Sequence, residues 1–403
     1  MFILNSVKRR SQNLFIYDKN RNFAKLRTPN RSIEESKIML KRFKVTNYRG
    51  FKQPLRWELG YFCEEYDYNQ YAIENGIIKS GMIYGRNSSG KTSLSLAVFD
   101  IVNHLSQTWK KPDYYSNFAY VGNLDQPVEF EYRFVFDSYN LLYVYSKDNQ
   151  GRLITERLDV NDQTIFNRKP SSLSILKDFD IPSNVSDMIV RGGNNISVIN
   201  FLLTSKPWPK DHYLIRLRDF VNGMLWFHGR EIPAFIGLDT GPSVINKFIN
   251  NNGFLKDFEK FLHDVGKIDY QLSSNGDDEI IYCIIEGKKV SFDKIASTGT
   301  EELKLLYFWI KHMDNASFVM IDEFDAFYHF KLSYDICKVL FNLSCQMFLT
   351  THNTTLMTND LLRPDCYFLI KDNEIKPLSS LTEKDLRYGL NLEKLYRGDT
   401  FGL

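Results

Sequence analysis

The feature that most limits what this chain can fold into is the run Gly85-Arg86-Asn87-Ser88-Ser89-Gly90-Lys91-Thr92. An apolar stretch at residues 77–84 precedes it, and Leu94, Ala97, Val98, Ile101, Val102 and Leu105 follow it. Those six recur at i, i+3, i+4, i+7, i+8 and i+11, which is one face of an amphipathic helix, and the apolar stretch ending in glycine reads as a strand. Strand, glycine turn and helix in that order complete the G-x-x-x-x-G-K-[ST] pattern. Glycines let successive backbone N–H groups turn inward around phosphate oxygens, and the helix start adds partial positive charge. Gly85, Arg86, Asn87, Ser88, Ser89, Gly90, Lys91, Thr92 and Ser93 are therefore candidate ATP-binding residues. Lys91 is expected to act catalytically at the β and γ phosphates, and Thr92 to ligate Mg²⁺.

A loop of this kind needs a parallel sheet, and the later sequence supplies one. Residues 318–321 are an apolar run that ends in Asp322 and Glu323, and residues 346–350 form another, followed by Thr351 and His352. With residues 367–370 these predict strands of a parallel α/β core. Asp322 is expected to hold hydrated Mg²⁺, and Glu323 to polarise the attacking water as general base. His352, at the end of the neighbouring strand, is placed to reach the γ-phosphate or that water. Ala296, Ser297, Thr298, Gly299 and Thr300 put small residues before a helix with Leu303, Leu306, Tyr307 and Ile310 on one face, a second anion-binding helix start.

Elsewhere the patterns are antiparallel or helical. Val128, Phe130, Tyr132, Phe134 and Phe136 alternate with mostly polar neighbours and lead through residues 137–140 into a second strand, a half-buried hairpin. Phe43 and Val45 share a face of a strand within residues 40–51, and residues 280–286 predict another. Between residues 170 and 268, apolar segments are broken by Asn, Gly and Pro, and LRDFVNGMLWF and FLKDFEKFLHDV both read as helical. The expected division is a basic N-terminal extension (1–38), an N-lobe (39–169), a mainly helical insertion (170–268) and a C-lobe (269–403). The absence of sustained heptads excludes a long coiled-coil arm.

Composition narrows the function classes. At 403 residues the chain can bury a large core or two domains. Five cysteines with no CxxC pair argue against a disulfide framework or a zinc ribbon and point to the cytoplasm. Beyond His352, the six remaining histidines have no metal-ligand spacing. No apolar run approaches the ~18 residues a membrane span needs, and the first residues have the wrong charge order for a signal peptide. The net charge of +2 is uneven, with nine Lys/Arg against three Asp/Glu in residues 1–40. Lys8, Arg9, Arg10, Arg21, Arg27 and Arg31 form a basic arm suited to nucleic acid, or else a leader ahead of a natural start at Met39.

The set as a whole resembles the ABC-type ATPases of the SMC, RecF and OLD branch. It is most similar to the short AAA-family ATP-binding proteins of bacterial anti-phage and abortive-infection loci. LKRFKVTNYRGFK resembles the opening strand of that group, GRNSSGKTS its Walker A loop, STGTEEL its signature, VMIDEFDAFYH its Walker B strand, LTTHN its switch histidine and KLYRGDTFG a recurrent ending. The resemblance implies an α/β P-loop fold of ABC type, a mixed sheet core with an antiparallel portion and a helical insertion. It also implies ATP and Mg²⁺ as cofactors, and a homodimer or higher homo-oligomer. In it, Ser297, Gly299 and Thr300 of one copy close on the γ-phosphate held by the other. The signature departs from the longer one of transporters, and Gln126 is a candidate Q-loop residue. Only 51 residues follow His352, too few for the nuclease domain of OLD proteins, which implies a separately encoded nuclease or toxin as effector. Three functions follow: a switch in anti-phage defence, a RecF-like clamp on DNA, or a nucleotide-gated scaffold with little turnover.

Overall fold

The computed structural model describes residues 37–402 apart from 106–113, 177–178, 180–185, 188, 191–195, 229–241, 276–278, 314–315 and 327. The basic arm lies outside the described residues.

Period-two alternation decides the first sheet. In the strand Val128–Phe136 every second residue is buried and those between are half-buried, as a strand with one face on a core requires. It forms a hairpin with Tyr139–Lys147. The antiparallel sheet extends to seven strands in the order Ser172–Ile175, Gln163–Lys169, Leu153–Val160, Tyr139–Lys147, Val128–Phe136, Met39–Thr46, Leu55–Glu58.

Continuous burial decides the second. The strands Ser80–Tyr84, Phe318–Asp322 and Gln346–Thr350 are buried at every position, the state of strands covered on both faces. The six-stranded order is Met224–His228, Phe318–Asp322, Gln346–Thr350, Ser80–Tyr84, Tyr367–Lys371, Glu374–Pro377. The first five are parallel and the last is an antiparallel edge. The two sheets meet through aromatic rings and one amide. Trp57 sets its ring 4.6 Å from Phe348 and 5.6 Å from Phe368. The Gln346 side chain accepts from Leu40 N at 2.7 Å and donates to the carbonyls of Leu40 and Ile78.

Two elements depart from the sequence-based expectation. The segment 170–268 does carry the helices Val198–Ser205, Tyr213–Asn222, Pro242–Asn251 and Leu255–Asp264. LRDFVNGMLWF, however, is helical only as far as Asn222. After Gly223 the chain becomes the strand Met224–His228, paired in parallel with Phe318–Asp322. The segment thus supplies this strand and, in Ser172–Ile175, the outer strand of the antiparallel sheet, rather than helices alone. The helix predicted from residues 94–105 is two helices, Lys91–Val98 and Asp100–Leu105. The Tyr132 hydroxyl reaches across from the antiparallel sheet to the carbonyls of Ala97 and Val98, 3.2 Å from each, taking up acceptors at the end of the first helix. Asp100, fully buried at the break, accepts from the Tyr145 hydroxyl and the Lys147 ammonium, each at 2.7 Å. The strand expected at residues 280–286 is Tyr282–Ile285, in a separate three-stranded sheet.

Candidate functional site

The glycine turn closes tightly between the strand Ser80–Tyr84 and the helix that begins at Lys91. Ser88 and Gly90 both have left-handed backbone, with φ of 63° and 104°. A Cβ on Gly85 would lie 2.7 Å from the Ile370 carbonyl oxygen and 2.5 Å from Ser89 Oγ, so only glycine fits that corner. Lys91 is 6 % exposed and folds back over the loop, donating to the carbonyls of Gly85 at 2.9 Å and Arg86 at 3.2 Å. Burial pushes its pKa down, and the nearby carboxylates of Asp322 and Glu323 partly oppose that shift. An anion accepted at the loop would supply the missing countercharge.

Asp322 stands at the end of its strand with no exposed surface. Its Oδ2 accepts from Thr92 Oγ1 at 2.6 Å, and its Oδ1 accepts from the Thr350 hydroxyl at the end of the adjoining strand. Thr350 Oγ1 also accepts from the Glu323 backbone N–H at 2.8 Å. That bond holds Glu323 at φ 50°, a conformation that side-chain-bearing residues other than Asn and Asp seldom adopt and that concentrates at functional sites. A hydroxyl and a carboxylate oxygen this close are hard donors of the kind Mg²⁺ takes alongside substrate phosphates. Among the described residues no group of three His, Cys, Asp or Glu could hold a metal by itself. Thr92 and Asp322 therefore fit a cation that arrives with phosphate oxygens.

One layer further out, the two loops that leave these strands are fastened together. Thr351 Oγ1 donates to Asp325 Oδ1 at 2.8 Å and accepts from Asn353 N at 2.9 Å. Burial raises the Asp325 pKa, against hydrogen bonds from Thr351 and Asn353 and the charge of His352. His352 is exposed between these anchored neighbours. Sequence reasoning missed Thr350 as a bridge and Asp325 as an anchor. Their only local signals are a Thr-Thr pair closing a strand and a third acidic residue after Asp322 and Glu323.

Arg86, Asn87, Ser88, Ser89, Gly90 and Ser93 line a cleft of about 350 Å³, walled on its far sides by Gly50, Phe51 and residues 370–373. The wall at residues 370–373 was also missed, because it arrives by sheet pairing: Leu369 opposite Tyr84 sets Ile370 beside Gly85. Ser297, Gly299 and Thr300 do not line this cleft. Ser297 caps the helix Thr298–His312, accepting from Thr300 N at 3.3 Å, and its hydroxyl lies 2.9 Å from Thr300 Oγ1. Ser297 is exposed and Gly299 half-exposed, whereas Thr300 is buried with its hydroxyl turned onto Ser297. Gln126 sits on an exposed loop and does not line the cleft, and its carbonyl accepts from Asn47 Nδ2 at 2.8 Å. The cysteines are all free, and among the described residues no helix is long and apolar enough to cross a membrane.

A family profile described as "AAA domain, putative AbiEii toxin, Type IV TA system" matches residues 82–358, more than two thirds of the chain and a span that holds Lys91, Thr92, Asp322 and His352. Three solved structures are also similar. The SMC head domain from Thermotoga maritima is 14% identical, covers 84% of this chain and 98% of its own, and gives a TM-score of 0.42. An Smc head domain with an extended coiled coil, bound to the C-terminal domain of ScpA derived from Pyrococcus furiosus, is 10% identical, covers 85% and 97%, and gives 0.41. A bacterial Atm1-family ABC exporter with ATP bound is 8% identical, covers 91% and 44%, and gives 0.38. No curated protein matches the chain.

Proposed function

The chain belongs to the AAA domain family described above, and from that premise we propose that it is a Mg²⁺-dependent ATPase whose nucleotide state works a switch in anti-phage defence. One observation carries the catalytic part. Thr92 on the glycine-loop helix and Asp322 on a different strand, 230 residues apart, meet at 2.6 Å. A loop that cradles phosphates and a carboxylate that can hold their metal thus share one site.

In this reading, backbone N–H groups of the loop and the Lys91 ammonium bind the β and γ phosphates, so that Lys91 leaves the carbonyls it now covers. Bound Mg²⁺ would be held by Thr92 and Asp322 and would offset charge on the phosphates. Glu323 orients a water and accepts its proton, fixed in place by the Thr350 hydroxyl on its backbone N–H. His352 reaches the γ-phosphate from the neighbouring strand end. Ser297 and Gly299, exposed at the start of their own helix and outside the cleft, complete the site of a second copy. Thr300 supports that helix start through Ser297. ATP then joins two copies and hydrolysis releases them. The family description names a putative toxin of a type IV TA system, which supports a place in such a system; a separately encoded nuclease or toxin is the element we propose it controls.

The test is MgATP turnover with size-exclusion and light scattering. Lys91→Ala is expected to lose nucleotide binding. Glu323→Gln is expected to bind ATP, stop turning over and accumulate as a dimer. An unaltered protein that neither binds nor hydrolyses MgATP refutes the reading. Negligible turnover with ATP-dependent assembly unchanged in Glu323→Gln would favour the scaffold instead. Hydrolysis stimulated by DNA and lost steeply with salt would favour the DNA clamp. The defence role is tested by plating phage on cells that carry the protein with its neighbouring genes, with and without Lys91→Ala. Equal plating on both removes that role.

A further inference from the structure

The helix Leu392–Arg397 and the residues after it touch three segments around the proposed nucleotide. Thr354, two residues beyond His352, donates its hydroxyl to Glu393 Oε1 at 3.0 Å. Arg397 Nη2 pairs with the same carboxylate oxygen at 2.7 Å and donates to Thr354 Oγ1 at 3.4 Å. Tyr396 sets its ring 6.1 Å from that of Tyr84, the residue immediately before Gly85, and the Tyr84 hydroxyl donates to the Asn353 carbonyl at 3.3 Å. Further on, Lys371 Nζ, on the wall of the cleft, donates to the Gly402 carbonyl at 2.6 Å. Leu392 and Phe401 are buried and anchor the segment, which leaves Glu393 half-buried and Arg397 exposed.

We propose that Glu393 and Arg397 are positioning residues for the hydrolytic step: through Thr354 they hold the loop that carries His352. The inference rests on the ATPase reading above. His352 is flanked by two anchors, Asp325 acting on Thr351 and the Glu393–Arg397 pair acting on Thr354. Removing the second anchor leaves the Thr351 end tied and takes from the other end its bonds at Thr354, so that the Tyr84 hydroxyl on the Asn353 carbonyl holds it with less support. An i, i+4 ion pair whose arginine stands in solvent adds little to the stability of a fold. A shift of about 1 Å in a group that must meet a reacting centre, by contrast, costs up to ~100-fold in rate. The pair is therefore worth more to geometry than to folding.

The experiment is Glu393→Ala, Arg397→Ala and Arg397→Lys in the full chain, each made also in a His352→Ala background. In the unaltered background both alanine variants should lower kcat for MgATP by about tenfold, with KM within about twofold and Tm within about 1 °C. Arg397→Lys should recover most of the loss. Against His352→Ala neither should lower kcat further, because the group they position is gone. Hydrogen exchange without nucleotide should quicken at residues 351–356 in both alanine variants. An equal fold-loss in the two backgrounds overturns the proposal, as does unchanged exchange at those residues. Because the exchange measurement needs no nucleotide, a chain that binds no MgATP refutes the ATPase reading without being mistaken for a failure of this one.

Discussion

Thr350→Val tests whether the bridge between the two carboxylates is a working part of the site. Threonine and valine have the same shape, so the substitution removes a hydroxyl from a fully buried position and leaves no cavity. Two hydrogen bonds go with it, one donated to the Asp322 carboxylate and one accepted from the Glu323 N–H. A bond to a charged group is worth about 1.5–3 kcal/mol and a neutral one about 1 kcal/mol, so the loss is about 3 kcal/mol. Over 403 residues, an unfolding entropy of ~2.1 cal/mol/K per residue converts that to a Tm lowered by about 3–4 °C. The assay is thermal unfolding by circular dichroism in magnesium-free buffer, followed by MgATP turnover. Turnover should fall as well, since Asp322 and Glu323 both lose their common guide, and Thr350→Ser should restore most of both quantities. If the valine variant melts with the unaltered protein and turns over ATP as fast, the bridge does not hold the carboxylates and the reasoning is wrong.

Gly85→Ala should destabilise the fold by about 1–3 kcal/mol, because the new Cβ meets the Ile370 carbonyl at 2.7 Å and backbone cannot yield as a side chain can; urea unfolding measures it. Lys91→Ala takes two hydrogen bonds from the loop carbonyls, so its melting temperature without nucleotide should fall by a few degrees at most, about as for Thr350→Val. The variant should also abolish the rise caused by saturating MgATP, which at a hundred times Kd corresponds to about 2.7 kcal/mol in the unaltered protein. Glu302, on the helix Thr298–His312, has its pKa raised to about 7, by burial first and the Glu301 charge second. The folded state therefore keeps a proton that the unfolded chain releases near pH 4.3. That contribution to stability is full below about pH 4, declines as pH rises towards 7 and is gone above it. Glu302→Gln removes the slope and should gain about 1 kcal/mol on the unaltered protein between pH 4 and pH 8, after allowance for partial exposure, as read from urea midpoints.

What could be read in the sequence was whatever a local pattern determines. The strands that carry Asp322, Thr350 and the glycine loop are buried on both faces, so they show as unbroken apolar runs and their polar ends stand out. Their order across the sheet and the partners they meet depend on register, which no short window contains. Thr350 and Asp322 are 28 residues apart and Thr92 is 230 residues from Asp322. The strand Met224–His228 was read as helix because its apolar residues continue the spacing of Tyr213–Asn222; Gly223, which caps that helix, is the only mark of the change. The break after Val98 has no glycine or proline to announce it. It follows from a tyrosine hydroxyl 34 residues away.

Where Met224–His228 lies has a consequence for how force reaches the chemistry. His228 is the register partner of Asp322, and Phe227 of Ile321. Excising the middle of the chain would strip the ladder from one side of the acidic strand and turn that strand into a raw, adhesive border. Conversely, any molecule that grips the helix Tyr213–Asn222 takes hold of a lever just two residues from a strand bonded to the one that ends in both carboxylates.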